Sequence, residues 1–267
     1  MLGILRIVLI FIVLLFPVIV VQALLICVKP LWRRYFWVLP RLWHKGACHI
    51  LNIQIIATGS IPAYAAYMAT PTLFISNHIG IRDILILGSM LPLSFVAKDD
   101  VKTWPLFGWL SQLHRTLFIS RHPAKAKSQQ AALLQRLGEG VPLLFFPEGT
   151  TSNGGTVLPF KSSLFQICPL FNAVSPVPLQ IIPLTLTYTH VNGNPLVTQQ
   201  DRDHVAYYGD MALGRHLKDM FWGRSTTVRL HIHAPVAAKD ATRKELSAAT
   251  HQIIDAHFTA TLNQSSY

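Results

Sequence analysis

The sequence predicts an α/β fold, in which a mixed central sheet flanked by helices follows an N-terminal helical membrane anchor. Two patterns carry this prediction. A long uncharged apolar run stands near the N-terminus, and from Ile53 onward short apolar runs alternate with longer amphipathic stretches. Such alternation is typical of a sheet with helices packed on its faces. At 267 residues the chain suits an anchor over residues 1–52 and one domain over residues 53–267, since a domain takes roughly 100 to 200 residues.

The composition indicates a protein that works at a membrane. Hydrophobic residues make up 51% of the chain and charged residues only 13%. The 23 Lys and Arg residues outnumber the 12 Asp and Glu residues, so an anionic partner is expected. The sequence has no dense Lys/Arg tract and no nucleic-acid-binding motif. We therefore expect membrane lipids rather than nucleic acid as partners.

The apolar run, about residues 7–28, predicts one membrane-spanning helix. It carries no charge, and as a helix it would cover about 30 Å of hydrocarbon. A cleaved secretory signal would have a shorter apolar stretch and small residues at a cleavage site, so an uncleaved anchor is favoured. Basic residues follow the run, and the positive-inside tendency places the rest of the chain in the cytoplasm. These basic residues are Lys29, Arg33, Arg34, Arg41 and Lys45.

The segment after the span, about residues 30–51, interleaves aromatic and basic side chains. The headgroup layer of a bilayer selects this combination, which predicts a second, interfacial helical segment. An ordinary amphipathic helix packed on the domain is the alternative.

Periodicity and turn residues place the elements of the domain. The predicted strands are residues 72–76, 94–97, 116–119, 141–146, 181–188 and 228–233, and the predicted helices are residues 81–90, 105–112, 124–138, 162–171, 209–222 and 241–262. The polar segment 190–203 predicts a loop. The three cysteines form no C-x-x-C pair, and the sequence has no visible metal cluster or phosphate loop. We therefore expect no disulfide, metal or cofactor.

The first candidate site stands where the strand TLFIS ends and the next helix begins. There Asn77 and His78 are followed, five residues after His78, by Asp83. In α/β sheets a strand end of this kind is the usual place for a ligand crevice. A histidine can take the proton of an attacking alcohol, and a carboxylate on its other ring nitrogen would fix the tautomer. A helix-capping histidine with a first-turn Asp is the alternative.

The second candidate site is the segment FFPEGTTSNGG, which directly follows the apolar strand VPLLF. Glu148 is a carboxylate at a strand end among apolar residues, a costly position unless the group is paired or used. Gly149 lets backbone amides approach a bound anion closely. An ordinary Pro-Glu-Gly turn is the alternative.

These two segments and two further ones resemble the glycerolipid acyltransferase family, which includes the bacterial 1-acyl-glycerol-3-phosphate acyltransferases. The resemblance covers about residues 71–186 in four blocks of the right order and spacing. The matching residues are Asn77, His78 and Asp83; Lys98, Asp99, Trp104, Pro105, Gly108 and Arg121; Phe146 to Thr150 with Phe160 and Lys161; and Ile181, Ile182 and Pro183.

The resemblance implies a site in which His78 is the general base and Asp83 orients it. The acceptor hydroxyl then attacks an acyl thioester directly, without a covalent enzyme intermediate. Acyl-CoA or acyl-carrier protein would be the donor substrate. The residues implied to bind substrate are Asn77, Lys98, Arg121, Glu148, Gly149, Thr150 and Lys161.

The sequence departs from the family at one position that bears on the acceptor. Members that act on glycerol phosphates usually carry Arg after Glu-Gly-Thr, whereas Thr151 stands here. We expect 1-acyl-sn-glycerol 3-phosphate as the acceptor, with Lys98, Arg121 and Lys161 replacing the missing charge. FPEGTTSNGGTVLPFKSSLF also looks like the branch that acylates lyso-ornithine lipid, which is the alternative acceptor.

Two hypotheses from other functional classes stand beside the acyltransferase hypothesis. A noncatalytic membrane-surface module would use the basic face and the aromatic belt only to bind lipid. A hydrolase would need a Ser or Cys nucleophile, and no G-x-S-x-G occurs. The resemblance and the anchor together imply a bacterial inner-membrane protein, single-pass or monotopic, with its catalytic domain on the cytoplasmic face.

Overall fold

The computed structural model describes residues 2–28, 37–59, 70–104, 107–120, 122–223 and 225–264. Within these residues nine strands form one mixed sheet in the order β1-β8-β6-β2-β5-β3-β4, with β7 and β9 paired to β6. The strands are β1 (Ile53–Gly59), β2 (Thr72–Ser76), β3 (Ser94–Lys98), β4 (Leu117–Ile119), β5 (Leu143–Phe145), β6 (Gln180–Val191), β7 (Asn194–Pro195), β8 (Thr226–Ile232) and β9 (Val236–Ala237).

Helices precede the sheet and connect its strands. They are α1 (Leu2–Val8), α2 (Leu15–Ile26), α3 (Val38–Ile50), α4 (Arg82–Met90), α5 (Phe107–Leu113), α6 (Ala126–Gly138), α7 (Ile167–Asn172), α8 (Gln199–Arg202), α9 (Leu213–Trp222) and α10 (Arg243–Gln264). A π-helical segment, Leu9–Leu14, joins α1 to α2. The predicted fold class, a mixed sheet flanked by helices, is confirmed.

Strand β2 is central because neighbours pair with it on both sides. It runs parallel to β5 and to β6, whereas β6 and β8 are antiparallel. All five residues of β2, TLFIS, are buried. A strand covered on both faces reads as a continuous apolar run, as this one does. The carboxyl end of β2 therefore delivers the next residues to the sheet edge where ligand crevices form.

The N-terminal helical segment is attached to the domain along one side. The Trp43 indole Nε1 donates to the Ile10 carbonyl oxygen at 3.1 Å, and the Arg6 guanidinium donates to the Phe221 carbonyl oxygen at 3.1 Å. By length and composition, residues 2–22 of this segment are apolar enough to cross a bilayer. Its other side exposes large apolar side chains, among them Leu5, Ile12, Phe16 and Leu24. An apolar surface of this extent suits contact with lipid.

The predicted interfacial segment is described only in part, because residues 29–36 lie outside the described residues. Its remainder forms α3, which packs against α4 and buries Trp43, His44 and Ala47. The side chain of Leu42 stays exposed on the opposite side. Helix α3 thus packs on the domain and keeps an outer side that can contact a headgroup layer.

Strand β9 was not predicted, and three further elements differ from their predictions. Strand β1 was not predicted, because as a sheet edge it buries only Ile53 fully and so lacks a clear apolar alternation. The helix predicted at 162–171 begins as a 3₁₀ turn, Ser162–Gln166, before α7. The loop predicted at 190–203 contains β7 and α8, and Thr198 and Asp201 form a capping box that starts α8.

Candidate active site

His78 and Asp83 meet where β2 gives way to α4. The Nδ1 atom of His78 lies 2.8 Å from Oδ2 of Asp83. The backbone N–H groups of Ile79 and Gly80 donate to the same oxygen, at 2.6 and 3.0 Å. Because Oδ2 only accepts, the network assigns the proton to Nδ1 and leaves Nε2 of His78 as the acceptor. This is the tautomer that a general base requires.

Tyr188 holds the other carboxylate oxygen of Asp83. Its hydroxyl, on β6, donates to Oδ1 of Asp83 at 2.6 Å. Burial first, and then the charge of Asp83, raises the pKa of Tyr188 well above its usual value, so the phenol stays a donor. Sequence reasoning missed Tyr188, because 105 positions separate it from Asp83 and only the pairing of β2 with β6 brings them together.

Phe146 fixes the plane of the His78 ring. The two rings stack with centroids 3.9 Å apart and an interplanar angle of 13°. The His78 side chain is 20% exposed, whereas that of Asp83 is fully buried. The imidazole is thus held at its face by Phe146 and at Nδ1 by Asp83, and it retains an accessible edge. The sequence places Phe146 in the Phe-Pro-Glu-Gly-Thr motif, but its contact with His78 is visible only in the fold.

Glu148 ties the Pro-Glu-Gly turn to the backbone of His78. Its Oε1 atom accepts from the His78 N–H at 2.7 Å, and Oε2 accepts from the Leu158 N–H at 2.9 Å. The Ser152 N–H in turn donates to the His78 carbonyl oxygen at 2.8 Å. Burial raises the pKa of Glu148 to about 8, although these two backbone hydrogen bonds lower it. The contacts make Glu148 a positioning group, and its predicted role in lining the acceptor site stays a prediction.

Asn77 also holds backbone in place. Its side-chain Nδ2 donates to the Leu186 carbonyl oxygen, and its Oδ1 accepts from the Leu186 N–H, both at 2.9 Å. The amide is buried, 1% exposed. This double hydrogen bond fastens the loop after β2 to β6. The predicted contact of Asn77 with substrate stays a prediction.

Gly149 has the left-handed backbone that the turn needs, with φ of +67°. A Cβ at this position would lie 2.6 Å from the Nζ atom of Lys161. The Lys161 ammonium therefore lies directly against the turn. Two residues along, the Thr151 hydroxyl donates to the Tyr207 carbonyl oxygen.

A cavity of about 410 Å³ adjoins the His78 ring, within the range of roughly 300 to 1,000 Å³ that ligand sites occupy. Phe146 and the turn at Gly149 line it beside His78, and Leu15 and Val18 of α2 line it on the side of the N-terminal segment. Most of the other lining side chains are apolar. The cavity therefore connects the candidate base to the apolar helix.

The predicted substrate-binding residues lie at three kinds of place. Lys98, Gly149 and Thr150 line the cavity together with His78. Asn77 and Glu148 hold backbone beside it, and Lys161 lies against the turn. Arg121 lies outside the described residues.

The chain matches known proteins over the region that carries this site. The family model described as "Acyltransferase" matches residues 54–187. A lyso-ornithine lipid O-acyltransferase of Rhizobium meliloti is 36% identical over 67% of this chain and 60% of that protein. One of Brucella abortus is 30% identical over 86% of this chain and 83% of that protein. The matched region is thus less than two thirds of the length of the Rhizobium protein.

Two further proteins share less of the sequence. A 1-acyl-sn-glycerol-3-phosphate acyltransferase of Neisseria gonorrhoeae is 34% identical over 46% of this chain and 47% of that protein. The crystal structure of the 1-acyl-sn-glycerophosphate (LPA) acyltransferase PlsC of Thermotoga maritima has a similar fold, with a TM-score of 0.60 and 21% sequence identity. The match covers 87% of this chain and 80% of the Thermotoga chain. This likeness shows a shared fold.

The raised pKa of Glu148 predicts a pH dependence of stability. The unfolded carboxyl loses its proton near 4.5, whereas burial keeps it in the folded protein up to about 8. Between these values the folded state binds more protons, so raising the pH lowers stability. We expect the thermal midpoint in detergent to fall from pH 5.5 to pH 8 more steeply for the wild type than for Glu148→Gln.

Glu148→Gln should also be less stable than the wild type at either pH, by about 1 to 3 kcal/mol, because the amide NH₂ of the glutamine faces a backbone N–H donor and cannot accept from it. Asp210→Asn, which changes an exposed carboxyl, is the control and should keep the wild-type pH dependence. Equal slopes for the wild type and Glu148→Gln would contradict the prediction.

Proposed function

Because the chain belongs to the acyltransferase family, we propose that it transfers a fatty acyl group from an acyl thioester to the free hydroxyl of a lysolipid. One observation carries the proposal. His78, hydrogen-bonded to a buried Asp83, lies at a cavity that continues to an apolar N-terminal helix. Such a transfer needs a base for the acceptor hydroxyl, an apolar site for the acyl chain, and contact with the membrane that holds the lysolipid.

In the proposed reaction Nε2 of His78 accepts the proton of the acceptor hydroxyl. The hydroxyl oxygen attacks the thioester carbonyl carbon, and collapse of the tetrahedral intermediate breaks the carbon–sulfur bond. The proton held on His78 then passes to the departing thiolate. Asp83 stabilises the imidazolium while it carries that proton. A positioned base of this kind typically contributes about 10²- to 10⁴-fold to the rate.

The apolar cavity is the proposed site of an acyl chain. Its lining includes Ile84 and Leu85 of α4 and Val18 of α2. Burying methylene groups against such walls contributes about 0.8 kcal/mol each. Since α2 lines the cavity and also exposes apolar side chains on its outer side, the proposed route of the acyl chain runs along α2 from the bilayer to His78.

For the acceptor we rank lyso-ornithine lipid ahead of 1-acyl-sn-glycerol 3-phosphate, the reverse of the order predicted from the sequence. The Rhizobium and Brucella relatives named for lyso-ornithine lipid match more of this chain than the Neisseria relative does. Thr151 stands where phosphate-acylating members carry Arg, and its hydroxyl is bonded to the Tyr207 backbone. An amino-acid headgroup needs less positive charge than a phosphate does.

The second candidate, 1-acyl-sn-glycerol 3-phosphate, is supported by two lysines. Lys98 lines the cavity and Lys161 lies beside the turn at Gly149. With Arg121 these cations could hold a phosphate dianion, since ammonium and guanidinium groups both bind phosphate oxygens.

The remaining partners and the location follow from chemistry and charge. The proposed donor is acyl-CoA or acyl-carrier protein, and the proposed reaction uses no metal or cofactor. The basic residues after the apolar run favour a bacterial inner-membrane protein, single-pass or monotopic, with its catalytic domain in the cytoplasm.

A panel of lysolipids tests the activity and the acceptor together. Purified wild type should acylate lyso-ornithine lipid faster than 1-acyl-sn-glycerol 3-phosphate from one thioester donor, measured as kcat/KM. His78→Gln should lower both rates by about 10²- to 10⁴-fold, because the general base is lost, while the protein remains in the membrane fraction. Full activity of His78→Gln would contradict the hypothesis that His78 is the general base and would favour a noncatalytic lipid-binding module.

The same panel tests the acceptor argument through Thr151→Arg. The new guanidinium should raise the ratio of phosphate-acceptor turnover to ornithine-acceptor turnover, with Thr151→Val as the uncharged control. An unchanged ratio would show that the residue at position 151 does not determine the preference between the two acceptors.

The chain site is tested by filling the cavity from α2. Val18→Trp should slow transfer of palmitoyl groups more than transfer of octanoyl groups, because the indole fills the part of the cavity that α2 lines and so shortens the space for a long chain. Ile12→Trp is the matched control, since Ile12 is 63% exposed on the same helical segment. If Val18→Trp slows both donors equally, the cavity does not hold the acyl chain.

A further inference from the structure

Three histidines lie together away from the candidate active site. His231 stands on β8 and His233 directly follows that strand, so the two side chains lie on one face of the sheet. His257 approaches them from α10. One ring nitrogen from each of the three lies within 4.8 Å of the other two. All three side chains are half-buried.

This face of the sheet is not the one that carries Asp83. On β6 the side chain of Thr185 contacts His233, whereas Tyr188 contacts Asp83. Residues three apart on a strand point to opposite faces. The three histidines therefore play no part in the reaction proposed for His78.

Two threonine hydroxyls fix the orientation of the strand histidines. Thr58 Oγ1 lies 2.8 Å from Nδ1 of His231, and Thr185 Oγ1 lies 2.8 Å from Nε2 of His233. Each contact uses one ring nitrogen and leaves the other for a metal. Metal-bound histidines are commonly held in this way, by a hydrogen bond on the nitrogen that does not bind the metal.

The charge state also suits a metal. Burial lowers the pKa of all three rings, that of His233 to about 4. Neighbouring histidines lower the pKa values of His233 and His257 further, and the Arg229 charge also lowers that of His257. Neutral imidazoles present the lone pairs that a metal needs.

The distances require a small closure of the cluster. A tetrahedral ion with nitrogen ligands at about 2.0 to 2.1 Å separates those nitrogens by roughly 3.4 Å. The rings of His231 and His257 now stack, with centroids 4.0 Å apart and an angle of 21°. Binding would therefore turn the His257 ring out of the stack, a side-chain rotation that leaves α10 in place.

From this geometry we propose that His231, His233 and His257 bind one divalent transition-metal ion of the zinc class, with solvent as the fourth ligand. The ion fastens α10, the last helix, to β8. Its role is structural, since it joins two elements that are far apart in the sequence.

The test uses the full chain, purified in detergent through a tag without histidines and stripped with a chelator. Titration with Co²⁺ should give the visible absorption of a tetrahedral nitrogen site at one ion per chain, and Zn²⁺ should displace it. Zn²⁺ should also raise the thermal midpoint. Both responses should be absent from His257→Gln and His231→Gln, and present in His49→Gln, which alters an exposed histidine of α3.

Thr185→Val supplies a second variant that keeps all three ligands. Loss of the hydroxyl behind His233 should weaken Zn²⁺ binding by about 10- to 100-fold. Without metal, each variant should melt near the stripped wild type, which separates lost binding from lost folding. Absence of stoichiometric Co²⁺ binding to the wild type, or unchanged binding by His257→Gln, would overturn the proposal.

Discussion

The buried carboxylate of Asp83 accepts hydrogen bonds from three parts of the fold. Its Oδ2 atom accepts from the imidazole of His78 and from the backbone N–H groups of Ile79 and Gly80 just before α4, and its Oδ1 atom accepts from the hydroxyl of Tyr188 on β6. A carboxylate is also stabilised by the N-terminal end of the helix that carries it. Because both oxygens of Asp83 accept hydrogen bonds, the carboxylate is fixed in place. It therefore holds the His78 ring in one tautomer and one orientation. The position of its Nε2 atom beside the cavity follows from that constraint.

Neighbouring groups hold the His78 ring in the same place and set it beside the cavity. Glu148 fastens the Pro-Glu-Gly turn to the His78 backbone, and Phe146 of the same region covers one face of the ring. The cavity then leads from the ring to Val18 on α2. With the His78 ring held at one end of the cavity and an apolar helix at the other, the proposed reaction would take place next to the lipid phase, where the proposed lysolipid acceptor lies.

The sequence predicts local chemistry better than it predicts contacts between distant segments. The strand TLFIS, the five-residue spacing of His78 and Asp83, and the turn at Gly149 are local patterns. The structure brings His78, which is hydrogen-bonded to Asp83, and Gly149 to one cavity. Tyr188 could not be predicted, since its bond to Asp83 depends on the pairing of β2 with β6. The grouping of His231 with His257 depends in the same way on the packing of α10. Edge strand β1 was missed because only Ile53 is fully buried, so its sequence shows no clear apolar alternation.

We propose that the Asp83 carboxylate holds His78 as a base, and the kcat of Asp83→Asn for a lysolipid acceptor tests this most directly, with KM and the thermal midpoint measured beside it. We expect a kcat lower by about 10²- to 10⁴-fold with KM nearly unchanged, since the carboxylate fixes the tautomer and stabilises the imidazolium. A folded Asp83→Asn protein with the kcat of the wild type would contradict it.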